Sequence, residues 1–379
     1  VDGSLAVAGG MRCLRKGCAS LVCVVALRAV PCEAPGGACV AEAASMAATT
    51  KRRRSMRQYE PRRSGLHPPV LPERPPTTRY NSGIFRARCV PVLFCVSASS
   101  MNLVIQSPAP LSVDHHKTLI ALARGSHATP IDANALRIAD ANVDQRADLD
   151  VYCATHRLDY AFVEAGRELR DFGLVAMDMD STLITIECID EIADFCGLKA
   201  EVAAITEASM RGEIKDFNES LTRRVALLQG LDASALERVY EERLQLSPGA
   251  EQMLAGAKAA GLKTLLVSGG FTFFTEKLKQ RLGLDFIRAN TLEIVDGKLT
   301  GKVIGEIVNA DVKARTLREI CTQLSIKPTR AIAMGDGSND LKMMAEAGLS
   351  VAFRAKPVVR EAASVAFNYV GLDGLLRLF

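Results

Sequence analysis

The sequence predicts an α/β chain: a doubly wound, Rossmann-like parallel sheet with a helical cap inserted after its first strand, preceded by a small α+β module. Three observations carry this expectation. Four short apolar runs, at residues 174–177, 264–267, 331–334 and 350–353, have the length and near-continuous hydrophobicity of strands buried on both faces. Helical stretches such as 249–260 and 312–324 lie between them, the alternation that a parallel sheet needs for its crossovers. Residues 183–247 keep a helical period (Ile189, Ile192, Ala193, Cys196; then Leu221, Val225, Leu228) and contain no convincing strand, so they read as an insertion above the carboxyl edge of the sheet.

In chain order, residues 1–100 come first and differ in composition from the rest. They hold 15 of the 47 Lys and Arg but 5 of the 43 Asp and Glu, a balance of +10 against −6 for the remainder, and also 7 of 11 Cys and 9 of 15 Pro. With no sustained period, a Lys51-Arg52-Arg53-Arg54 run and paired prolines, this segment is expected to be disordered, or upstream sequence translated ahead of a true start at Met101. Its basic run lacks the interleaved aromatics of a base-stacking surface, so no nucleic-acid partner is expected. The apolar stretch after Met11 has no clean small-residue cleavage site, and no run reaches transmembrane length. No membrane partner is expected, and the scattered cysteines, without metal-ligand spacing, fit a reducing cytoplasm.

Residues 101–172 read as the small α+β module, with an apolar start at 103–105, a helix over 114–123 and a strand near 135–138. Asp114-His115-His116 has the letters of a DHH phosphoesterase signature. Adjacent helical residues do not share a face, however, and the further metal carboxylates are missing, so a helix start with two surface histidines is the expectation. Residues 173–379 make the main domain, in which Asp296-Gly297 marks a hairpin turn.

The chemistry gathers where strands end. The run 174–177 finishes on Asp178-Met179-Asp180-Ser181-Thr182; side chains at i and i+2 leave a strand on one side, so both carboxylates can converge above the sheet edge. Taken alone, Asp-x-Asp-Ser equally well caps a helix. The second strand ends on Ser268-Gly269-Gly270, a hydroxyl and amides suited to phosphate oxygens. Lys313 opens a helix and offers a cation, though a lone lysine there is ordinarily solvent-facing. The third strand ends on Gly335-Asp336-Gly337-Ser338-Asn339-Asp340. Acids brought together in this way repel unless a cation joins them, and an oxygen-rich set suits Mg²⁺.

In this order the motifs resemble those of the haloacid dehalogenase superfamily of phosphatases, and most closely its members that hydrolyse phosphoserine. The nearer likeness rests on Asp178 to Thr182, Glu187-Cys188-Ile189-Asp190-Glu191, Phe217-Asn218-Glu219-Ser220-Leu221-Thr222-Arg223-Arg224, Ser268 to Phe271 and Gly335 to Asp340, and covers about residues 172–379. It implies that Asp178 is a nucleophile forming an aspartyl-phosphate and Asp180 the acid and base. It also implies that Asp178, the Asp180 carbonyl and Asp336 hold Mg²⁺, with Asp340 behind them. Ser268, Gly269, Gly270, Lys313 and Asn339 would bind the phosphoryl group. In the cap, Glu187 would meet the substrate ammonium, Arg224 its carboxylate, and Phe217 would cover the site. The implied activity is the last step of serine biosynthesis, with a small phosphorylated amino acid as the partner molecule. Two other readings stay open: a phosphatase or phosphotransferase for another phosphorylated metabolite, and an amino-acid-binding regulator.

Overall fold

The computed structural model describes residues 100–379. The expectations of disorder, of an upstream extension and of a Met101 start concern residues outside the described ones.

The chain first forms β1 (Met101–Gln106), α1 (Val113–Ala123), β2 (Ala128–Asp132), β3 (Ala135–Ile138), α2 (Arg146–His156) and β4 (Asp159–Glu164). The strands make an antiparallel sheet in the order β2-β3-β1-β4. Alternation decides its two faces. Leu103 and Ile105 of β1 pack under the helices with Leu119, Leu136, Ile138 and Leu149, whereas Val104, Ala161 and Val163 turn the other way and join the main core. The module is therefore a layer of the larger body. His115, from the Asp-His-His run, spends its Nδ1 on the Tyr152 hydroxyl at 2.8 Å.

The rest of the fold is built from β5 (Leu174–Met177), α3 (Cys188–Asp194), α4 (Lys199–Met210), α5 (Phe217–Ala226), α6 (Ser234–Glu242), α7 (Ala250–Ala259), β6 (Lys263–Phe271), α8 (Thr272–Leu282), β7 (Phe286–Val295), β8 (Lys298–Ile304), α9 (Ala310–Gln323), β9 (Ala331–Gly335), α10 (Leu341–Glu346), β10 (Leu349–Phe353), α11 (Pro357–Ala362) and β11 (Val365–Phe367). Seven strands pair in the order β11-β10-β9-β5-β6-β7-β8. All pairs are parallel except β7 with β8, so the expected parallel sheet has an antiparallel edge. The cause is the Asp296-Gly297 turn: both residues have positive φ, 49° and 74°, the requirement of a two-residue hairpin turn.

β5 is central and fully buried. Leu174 and Ala176 face a core formed with α9 and α10, and Val175 and Met177 face the core that includes the cap. β5 pairs with β6, the next strand in the chain, on one side and with β9, three strands further on, on the other, which makes its carboxyl end the switch point where α/β folds open a crevice. Helices α3–α6 stand over that crevice. A bridge between Ile184 and Leu246 ties the two ends of the insertion together, and Asp232 bridges to Lys298, seating the cap on the hairpin. Among the described residues, no helix is long and apolar enough to cross a membrane.

Candidate active site

Strand β5 delivers Asp178 at its end, where the ladder to β9 still holds the backbone: Asp178 N donates to the Met334 carbonyl at 3.0 Å. The following residues coil tightly. Asp178 Oδ1 accepts from Met179 N at 2.8 Å, Ser181 adopts φ 54°, and Leu183 and Ile184 donate back to the carbonyls of Asp178 and Met179. The turn places Asp178 and Asp180 on one cavity of about 400 Å³ at the switch point.

The other strand ends close round it. Ser268, wholly buried, accepts from Gly270 N at 2.8 Å. The Gly270 amide, expected to face the phosphoryl group, is thus engaged by the serine, and the Ser268 hydroxyl proton is the one left to donate. Gly270 has to lack a side chain, since a Cβ there would lie 2.7 Å from Asp180 Oδ2. After β9, Asp336 Oδ1 accepts from Thr182 Oγ1 at 3.2 Å, while Asp340 Oδ2 accepts from Gly337 N at 3.0 Å. Gly335 yields to Asp340 in the same way, because a Cβ would fall 2.4 Å from its Cγ. Asn339 lines the cavity.

Lys313, assigned to the site by the resemblance, is held inside it by two carboxylates. A surface position is usual for a lysine in the first turn of a helix, yet this side chain is 0% exposed, with Nζ 2.8 Å from Asp178 Oδ1 and 2.7 Å from Asp340 Oδ1. Asp340, expected to act from behind, stands with Asp178 and Asp336 in one group whose carboxylate oxygens lie within 4.8 Å of one another. The Asp180 side chain is not in that group; its Oδ1 accepts from Cys188 N at 3.3 Å.

Crowding has electrostatic consequences. Burial, then the Asp340 carboxylate, push the Asp178 carboxyl well up, and Lys313 opposes them. Asp336 is pushed up to about 6 by burial, then by Asp340 and Glu187. Asp180 is pushed up to about 7 by burial, then by Glu187. Three carboxylates with one lysine retain an excess of negative charge in a buried all-oxygen donor set, which fits a hard metal cation and relieves the repulsion seen here.

The cap supplies the opposite wall. Glu187, the N-cap residue of α3, accepts from Ser181 Oγ at 2.7 Å through Oε1. Arg224 of α5 is half-buried on the same cavity. Phe217 reaches over Gly269, where a Cβ would lie 3.1 Å from its Cζ. Two charged residues of the cavity, Asp190 and Lys356, were missed in the sequence. Lys356 had a signal: it lies just beyond the fourth buried strand, at the same carboxyl edge as the other motifs.

The family profile of haloacid dehalogenase-like hydrolases matches residues 175–345, and a domain of unknown function matches residues 103–149. The phosphoserine phosphatase of a Polaromonas species is 59% identical over 215 residues, 56% of this chain and 91% of that protein. The crystal structure of a probable phosphoserine phosphatase from Vibrio cholerae, in unliganded form, superposes with a TM-score of 0.64 at 37% identity, covering 74% of this chain and 86% of that one. A phosphoserine phosphatase solved with substrate bound gives a TM-score of 0.52 at 38% identity, over 54% of this chain and 97% of that chain. With these motifs on these strand ends, the chain belongs to the phosphoserine phosphatase family of haloacid dehalogenase-like hydrolases.

Proposed function

We propose that this chain hydrolyses O-phospho-L-serine to L-serine and phosphate, the last step of serine biosynthesis, with an aspartyl-phosphate on Asp178 as the intermediate. The observation that carries the substrate is the cavity's polarity: Asp178 and Ser268 lie at the sheet edge, and Glu187 and Arg224 lie on the cap wall of the same cavity. Those two charges match the ammonium and carboxylate of an amino acid, the guanidinium being able to take a carboxylate with two parallel hydrogen bonds.

Asp178 Oδ1 already accepts from Met179 N and from Lys313, so Oδ2 is the less encumbered oxygen and attacks phosphorus. Lys313 opposes the upward push of burial and Asp340 on the Asp178 carboxyl and so favours its ionised form. Asp180, raised to about 7, is protonated often enough near neutrality to give its proton to the departing serine oxygen. Once ionised, it takes a proton from the water that attacks the aspartyl-phosphate, so one group serves both half-reactions. The Ser268 hydroxyl and Asn339 hold phosphoryl oxygens, positioning being most of the catalysis in phosphoryl transfer. Phe217 keeps bulk water off the cleft. Asp178 and Asp336, with the Asp180 carbonyl, would hold Mg²⁺ and Asp340 would support it; the cation supplies charge neutralisation between nucleophile and phosphate.

A panel of phosphate esters tests this reading. With Mg²⁺ present, O-phosphoserine is expected to give the highest kcat/KM among phosphoserine, phosphothreonine, a sugar phosphate and an aryl phosphate. Arg224→Ala is expected to lower the phosphoserine value roughly 10–150-fold relative to the aryl phosphate. Equal turnover of all four esters would reduce the reading to an unspecific phosphatase.

A further inference from the structure

The proposed chemistry leaves the carboxylate of Asp190, like the Lys356 ammonium, in the cavity without a role. Asp190 lies in the first turn of α3, three residues after Glu187, and its amide donates to the Glu187 carbonyl at 3.1 Å. An acidic side chain at that position commonly folds back on the N-cap amide. Here it does not, and α3 has no side-chain cap. Asp190 instead lines the cavity that holds Asp178, Glu187 and Arg224. Its Oδ1 is buried and has no hydrogen-bond partner. The other buried side-chain atoms in that condition, among the described residues, are Gln106 Oε1 and Arg137 Nε, both in the N-terminal module.

A buried carboxylate oxygen without a donor is costly, so a site that keeps one has a use for an acceptor there. Arg224 is near enough for Asp190 to favour its charge more than Glu187 does. Yet its side-chain hydrogen bond goes elsewhere, from Nε to the Ser220 carbonyl at 3.4 Å. Glu187 has already committed Oε1 to Ser181 and keeps one free oxygen. An ammonium group brings three N–H donors. Glu187, partly spent on Ser181, can take only part of that set, and Asp190, a further carboxylate with an unpartnered oxygen, lines the same cavity.

We infer that Asp190 is a second acceptor for the substrate ammonium, beside Glu187, and makes the site specific for phosphate esters that carry an amine. The inference rests on the phosphoserine reading above and extends it. With a carboxylate pair against a single guanidinium, the cap sorts the two ends of the amino acid by charge: the amine goes to α3, the carboxylate to α5.

Three esters separate the contributions in the Mg²⁺-loaded full chain: O-phosphoserine, O-phosphoethanolamine, which keeps the amine and lacks the carboxylate, and 3-phosphooxypropanoate, which keeps the carboxylate and lacks the amine. For the isosteric Asp190→Asn, the kcat/KM ratio of each amine-bearing ester to 3-phosphooxypropanoate is expected to fall about 10- to 100-fold. Equal losses on all three esters would overturn the inference. So would a loss on 3-phosphooxypropanoate with phosphoethanolamine spared, since Asp190 would then only position Arg224. A second measurement is independent of whether Asp190→Asn folds: in Glu187→Ala, part of the preference for phosphoserine over 3-phosphooxypropanoate should survive, and its complete disappearance would overturn the inference. A wild-type enzyme that did not distinguish these two esters would overturn the phosphoserine reading as well, whereas failure of the variants alone leaves that reading standing.

Discussion

The Lys313 ammonium lies 2.8 Å from Asp178 Oδ1, with the lysine side chain fully buried. It enters from α9, on the opposite side of the sheet from the cap, and its second contact, 2.7 Å to Asp340 Oδ1, joins two carboxylates that would otherwise repel. Replacing it by methionine keeps the volume and strips the cluster of this cation. Breaking a buried ion pair by removing one partner costs about 3–5 kcal/mol. Lys313→Met is therefore expected to lose roughly that much stability in urea at pH 7.5 without metal. The loss should shrink at pH 5, where Asp336, raised to about 6, is protonated and adds less negative charge to the cluster that the lysine offsets. An equal loss at both pH values would mean that the lysine acts through packing.

The same carboxylates set the pH dependence of metal stabilisation. Asp336 has a folded pKa of about 6, above the roughly 3.9 of an unfolded Asp. Its contribution to metal-free stability is thus fully present below about pH 4 and is lost as pH rises through about 6. Cation binding needs the deprotonated form. The rise in Tm on adding Mg²⁺ in place of a chelator is expected to be small at pH 5 and to grow up to about pH 7.5. A pH-independent rise would place the cation elsewhere.

The two motif aspartates should fail differently. Asp178→Asn is expected to abolish the phosphoenzyme, and Asp180→Asn to bind phosphoserine but turn over about 10²–10⁴-fold more slowly, the usual value of general acid–base help. Rapid quench with labelled substrate and peptide mapping checks both. Label trapped on the Asp178→Asn protein would move the nucleophile to another residue.

Much of the sheet could be read in advance because its strands are buried on both faces: residues 174–177 are β5 residue for residue, and Asp296-Gly297 does turn a hairpin. The module was harder. β2 is exposed along most of its length and contains Pro130, and β4 opens with Asp159, a buried charge that breaks the apolar pattern used to find strands. In the site, residues carried by strand-end motifs could be recognised. Lys313 was assigned to the site by the resemblance alone, since its burial depends on carboxylates 135 and 27 positions away in the chain. Asp190 stood in a quoted motif without a role of its own, and only the folded cavity brings it beside Glu187 and Arg224.

Asp159 also explains how the module is held. Its two oxygens accept from the amides of Asn368, Tyr369 and Val370 at 2.9, 2.8 and 2.9 Å, just after the edge strand β11. Asp159→Ala would leave three partly or wholly buried donors to find other partners. A hydrogen bond to a charged group is worth about 1.5–3 kcal/mol and shared losses do not add, so a total near 2–4 kcal/mol is expected. Chemical denaturation measures it. Because the change is remote from the cavity, kcat/KM at low temperature should stay within about twofold of wild type; a large loss of turnover with unchanged stability would instead link the module to catalysis.

Glu187 offers a test of the acid that does not depend on substrate identity. Asp180 stands at about 7, with burial as the first cause and the Glu187 charge as the second. An acid that must be protonated to act loses activity as pH rises through its pKa, so kcat/KM should fall on the alkaline side. Glu187→Gln removes the repulsion while leaving the burial, which lowers the Asp180 pKa and moves that falling limb to lower pH. An aryl phosphate, with neither amine nor carboxylate, isolates the effect from substrate recognition, and comparing the two proteins on one substrate cancels the ionisation of the ester itself. The limb is expected to shift downward by a fraction of a unit to about one unit, as for a neighbouring like charge partly screened by water. A limb that stayed in place would assign the alkaline fall to a group other than Asp180, and an upward shift would contradict the repulsion between these two carboxylates.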